Sequence, residues 1–122
     1  MKIKISVKGL EITAELRDTP AARALAEALP CTARANTWGD EVYFAVPVAV
    51  SLESDAKQVV DPGTVAFWVE GQSVALPFGP TPISKEGECR LASRCNILGK
   101  LDGDPKRLKI VCSGDAVRVE RA

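Results

Sequence analysis

A closed, mainly β barrel of eight short strands, its ends capped by two short helices, is the fold class this 122-residue chain predicts. Three observations carry it. Apolar and polar side chains alternate with period two in a series of short segments, the signature of half-buried strands. Turn signatures built on glycine, proline and aspartate separate those segments, and helix-forming composition is confined to two brief stretches. So many strands in so short a chain require closure, because a closed sheet leaves no unpaired edge.

The first segments are the clearest. Ile3, Ile5 and Val7 alternate with lysines and a serine, Lys8-Gly9 turns the chain, and Leu10, Ile12, Ala14 and Leu16 alternate with Glu11, Thr13 and Glu15. This is a hairpin with one wet face. Thr19-Pro20 then supplies an N-cap with proline at the first helical position, and Ala21 to Leu29 is rich in helix formers, with Leu25 and Leu29 one turn apart until Pro30 stops them. Cys31 to Thr37 is extended, Trp38-Gly39-Asp40 turns, and Val42 to Val46 is extended again, with Pro47 at an edge or bend. Val48 to Val60 reads as a connection with one helical turn near Ala56 to Val59.

Asp61-Pro62-Gly63 is a turn, and Thr64 to Val69 a strand with Val65, Phe67 and Val69 on one face and Ala66 and Trp68 on the other. After Gly71-Gln72, Ser73 to Phe78 is the next strand. Gly79-Pro80-Thr81-Pro82-Ile83-Ser84 is a stiff loop, since its prolines donate no hydrogen bond and hold their predecessors extended; a cis bond before Pro80 or Pro82 is compatible with it. Lys85 to Ser93 continues as polar loop, Arg94 to Leu101 is a strand, Pro105 to Val111 a short helix, and Val117 and Val119 mark the last strand.

Composition excludes several functions. Sixteen basic and sixteen acidic residues cancel without forming runs, so the footprint of a phosphate-backbone binder is absent and no nucleic acid is expected as partner. No apolar segment approaches the ~20 residues that span a bilayer, and the charged alternation of Met1 to Val7 is not a signal sequence. A cytoplasmic, membrane-free protein of one domain, residues 1–122, is the expectation. Histidine is absent and Cys31, Cys89, Cys95 and Cys112 form no CxxC pair, so neither a Ser-His-Asp site nor a mixed zinc site can be assembled. The cysteines read first as small apolar residues, with a Cys89–Cys95 bridge as the alternative. Gly87 and Gly99 lack glycine partners at phosphate-loop spacing, and no cofactor is expected.

What remains is the stretch Asn36-Thr37-Trp38-Gly39-Asp40-Glu41-Val42-Tyr43-Phe44, which concentrates aromatic and acidic side chains at a hairpin tip. Tyr43 and Phe44 point to opposite faces, so one of them stands outside the barrel or under a loop. Asp40 and Glu41 diverge for the same reason and cannot act as a convergent carboxylate pair.

These residues carry a resemblance. The order strand, strand, helix, four strands, loop, strand, helix, strand is similar to that of the cyclophilin barrel. Pro62 to Trp68 followed by Ser73 to Phe78 looks like its fifth and sixth strands, and Asn96-Ile97-Leu98-Gly99-Lys100-Leu101 like its Gly-Lys strand. The Asn36 to Phe44 stretch, Phe78 to Ser84 and Asn96 to Lys100 together resemble the small prokaryotic cyclophilin-like proteins, whose function is not established. For cyclophilins proper the resemblance implies prolyl isomerisation by an arginine and a glutamine in a pocket walled by phenylalanine, tryptophan and histidine. This chain departs from that pattern: Leu76 stands about where the phenylalanine is expected, Cys95 about where the histidine is, and the Lys85 to Ser93 loop has no tryptophan. Only Arg34 is left to serve as the arginine. The expected function is therefore binding of a small molecule or peptide in a groove bordered by Arg34, Asn36, Trp38, Glu41, Tyr43, Thr81, Pro82 and Ser84. Weak peptidyl-prolyl isomerisation through Arg34 is the alternative, and self-association into a homo-oligomer a third class.

Overall fold

Alternation in the first two segments becomes a hairpin: in a computed structural model that describes all residues 1–122, β1 (Lys2–Val7) and β2 (Leu10–Leu16) pair antiparallel across Lys8-Gly9. The helix α1 (Pro20–Glu27) follows, with the Thr19 hydroxyl accepting from the Ala22 amide at 3.2 Å and Ala21, Ala22, Leu25 and Ala26 turned inward. Then come β3 (Cys31–Arg34), β4 (Asn36–Thr37), β5 (Glu41–Ala45), β6 (Lys57–Val60), β7 (Thr64–Trp68), β8 (Ser73–Pro77), β9 (Cys89–Leu101), a 3₁₀ helix over Pro105–Ile110 and β10 (Ala116–Arg121).

The main sheet runs β3-β10-β1-β2-β9-β7-β8-β5-β4. Its two ends are neighbouring pieces of one extended segment, residues 31–37, so the sheet curls round and meets itself. Cys31–Arg34 pairs with β10, Asn36–Thr37 pairs with β5, and Ala35 between them exchanges backbone bonds with Asp115 and Gly114. The path therefore counts nine strands where eight were expected, because the chain changes partner at Ala35.

Inside, the alternation delivers Ile3, Ile5, Val7, Ile12, Val42, Phe44, Val65, Phe67, Val74 and Leu76 to one apolar core. Burying each phenylalanine contributes roughly 1.5–3 kcal/mol. Leu25 of α1 and Leu108 of the 3₁₀ helix, both buried, belong to the same core.

Two segments correct the sequence reading. Ala56 to Val59, expected as a helical turn, falls at the strand β6 (Lys57–Val60), and Cys89 to Ser93, expected as loop, is the first part of β9. Both arise from one cause: β6 and the first half of β9 pair with each other outside the barrel, while the second half of β9 pairs with β2 and β7 in its wall. Leu91 and Cys95 pack there against Ala66 and Ala75 in a separate apolar cluster. The second helix is 3₁₀, begun by the Asp104 carboxylate accepting from the Lys106 amide at 3.0 Å. All four cysteines are free, two of them buried, so Cys89 and Cys95 are not bridged. The one cis peptide bond precedes Pro30, and none precedes Pro80 or Pro82. No helix is long and apolar enough to cross a membrane.

Candidate functional site

The turn Trp38-Gly39-Asp40 launches β5, and strand alternation then sends Val42 and Phe44 into the barrel and Glu41 and Tyr43 to its outer wall. Tyr43 stands opposite Ala75 of β8, which stands opposite Ala66 of β7. Two alanines in a row leave a shallow floor. Trp68, at the end of β7, closes one side edge-on to Tyr43, with ring centroids 6.2 Å apart and planes at 89°. Leu91, Ala92 and Cys95 of β9 lie over this floor and Trp38 stands at its side, enclosing a hollow of about 190 Å³.

Close approaches hold the walls in place. A Cβ on Gly71 would lie 2.1 Å from the Trp68 ring, so the indole rests directly on that backbone. Gly39, with φ of +58°, lies so near the stiff loop that a Cβ would come within 2.8 Å of the Pro82 ring. The hairpin tip is also bonded to that loop, the Asp40 amide donating to the Pro80 carbonyl at 2.9 Å and the Phe78 amide to the Asp40 carbonyl at 2.8 Å.

Glu41 is the polar group of the hollow. The residue is 6% exposed, Oε1 is buried without a hydrogen-bond partner, and no lysine or arginine lines the space. Burial alone pushes its carboxyl up to about 7. Cys95 is pushed up to about 12, chiefly by burial and then by the charges of Glu41 and Glu70, and Cys89 up to about 11, again chiefly by burial. Both remain neutral thiols at neutral pH, so neither is an activated nucleophile. No group of three or more Cys, Asp or Glu side chains is placed to hold a metal ion.

Trp38, Glu41 and Tyr43 of the expected set thus come together, and five others do not line the hollow. Arg34 is exposed and donates to the Gly114 carbonyl at 3.1 Å, and Asn36 is exposed with its amide 3.5 Å from the Tyr43 carbonyl. The hydroxyls of the stiff loop are already engaged: Ser84 Oγ accepts from the Thr81 and Arg90 amides, each at 2.9 Å, and Thr81 Oγ1 donates to the Arg90 carbonyl. Pro82 braces the turn at Gly39. Sequence reasoning missed Trp68, Ala75, Leu91, Ala92 and Cys95. For Trp68 the signal was there, an indole on the face opposite Val65 and Phe67.

A more open hollow of about 500 Å³ lies between β6, the Asp61-Pro62 turn and Gly79-Pro80. Its Glu88 is held by Arg90 at 2.7 Å, and no buried, unpartnered group faces it.

A closed β-barrel bearing an aromatic hollow on its outer wall is the class these features define. The profile of the cyclophilin-like family matches residues 1–120, and the chain belongs to that family. Among solved structures it is similar to the solution structure of a hypothetical protein from Archaeoglobus fulgidus, with 42% identity, a TM-score of 0.85, and coverage of 100% of this chain and 95% of that one. A comparison with curated proteins finds no match.

Proposed function

We propose that this protein is a binding module for a small organic molecule, seated in the hollow between the barrel wall and the β6–β9 ribbon. One observation carries the reading: both tryptophans and the only tyrosine of the chain converge on a single preformed space. Aromatic walls with one convergent polar group are what a ligand pocket offers. At about 190 Å³ the space is smaller than drug-sized pockets of ~300 Å³ and above, and near the 150 Å³ engineered cavity known to take benzene, so a single-ring ligand fits. A peptide needs a longer groove. The isomerase alternative also finds less support, because Arg34 is bonded to Gly114 and lies outside the hollow.

Single-ring probes titrated into the protein are expected to change the emission of Trp38 and Trp68 saturably. Trp38→Ala, at a half-buried position, should weaken that binding at least tenfold while unfolding stays cooperative. Absence of a saturable change with every probe at millimolar concentration refutes the reading.

A further inference from the structure

We propose that the hollow selects ammonium ligands, a primary or secondary amine on a single-ring or compact apolar body, with Glu41 as the anionic partner and Trp38, Tyr43 and Trp68 as the aromatic wall. This rests on the ligand-binding reading above and names the class of ligand. Glu41 lines a space whose remaining lining supplies no cation, and its buried Oε1 has no hydrogen-bond partner in the protein. Buried carboxylates are almost always paired, so the partner missing from the protein is one the ligand provides. Aromatic faces attract the same charge, by about 2 kcal/mol or more where water is excluded. An anionic ligand would meet an acid in a hollow without a base, and a purely apolar one would leave Oε1 unmatched.

The rival is a neutral acceptor such as an amide, which a protonated Glu41 could serve as donor. The two differ in their response to pH. The titratable groups about Glu41 are Tyr43 on its own strand, Asp40 at the turn, Cys89 and Cys95 on β9, and Glu70 beyond β7. None is basic, and both thiols stay protonated at neutral pH. An ammonium requires the carboxylate; with a carboxyl near 7 in the empty hollow, affinity rises with pH and levels off above about 8. A neutral acceptor requires the acid, and its affinity falls over the same range.

Calorimetric titration of the full chain with benzylamine, benzyl alcohol, benzamide and benzoate at pH 5.5 and 8 tests this. Benzylamine should bind about thirtyfold tighter at pH 8 than at pH 5.5. Benzyl alcohol should bind more weakly and equally at both, and benzoate should not bind. Glu41→Gln should abolish the pH dependence and the preference for the amine over benzyl alcohol; the pH series on the unaltered protein stands without the variant. Equal affinities for amine and alcohol at pH 8, or tighter benzamide binding at pH 5.5, overturn the ammonium assignment and leave the ligand-binding reading standing. Binding of none of the four probes overturns both.

Discussion

Glu41 lies under two opposed demands, since its place on β5 buries it and its charge resists burial. With a carboxyl moved from an ordinary 4.5 to about 7 by burial, the folded protein holds a proton that the unfolded chain gives up. The stability this supplies is complete below about pH 4.5, is lost as pH rises to 7, and changes no further above it. The native protein should therefore lose on the order of 1–3 kcal/mol between pH 5 and pH 8, as read from urea midpoints. In Glu41→Gln that decline should vanish; an equal decline in both proteins would assign the titration elsewhere. Gly71 shows the same economy of space with no charge involved, for the Trp68 ring occupies the position where any other residue would carry its first carbon.

Among the elements, the span between β5 and β6 has no regular pairing and yet is fixed at its centre by one side chain. Asn96 of β9, fully buried, accepts from the Glu53 amide at 2.7 Å and donates to the Ser51 carbonyl at 3.0 Å. Glu53 in turn accepts the Ala21 amide at 2.9 Å, so strand, connection and helix start are linked in series. Asn96→Ala should cost about 1–3 kcal/mol, because two backbone groups of the connection lose the buried side chain that pairs them. Hydrogen exchange should show the Glu53 amide losing protection ahead of the β1–β2 hairpin; unchanged protection there would refute the coupling.

This scale also shows how far the sequence could be read. The strands of the barrel wall were legible because each has one face in the core, which stamps period two on the residues. Cys89, Leu91 and Cys95 alternate just as well, but Arg90, Ser93 and Arg94 give the run a polar composition, and its apolar face meets the outer wall, a surface that exists only once the barrel is closed. β6, half exposed throughout, leaves weaker marks still. The hollow divides in the same way. Trp38, Glu41 and Tyr43 stand within six positions of one another and were found together, whereas Trp68, Ala75 and Leu91 reach them through strand register and could not be placed in advance. Thr81 and Ser84 were legible as polar and unreadable as already satisfied.

At the scale of the whole molecule, closure depends on residues 31–37 serving both ends of the sheet. Ala35, at the changeover, donates its amide to the Asp115 carbonyl at 2.8 Å and accepts from the Gly114 amide at 2.8 Å. Ala35→Pro removes the donor in a buried place and should cost roughly 3 kcal/mol or more. It should also free the edges of β10 and β5, so light scattering during warming should report self-association well below the temperature at which the native protein clusters. A variant that stayed monomeric up to its unfolding temperature would refute this dependence.

The seven residues are a buckle on a belt. While it is fastened, the circumference presents no loose border onto which a stray β segment could be stitched. The interval in synthesis before residues 116–121 arrive to be clasped is consequently the period in which the chain is stickiest, and the vulnerability belongs to its birth more than to its working life.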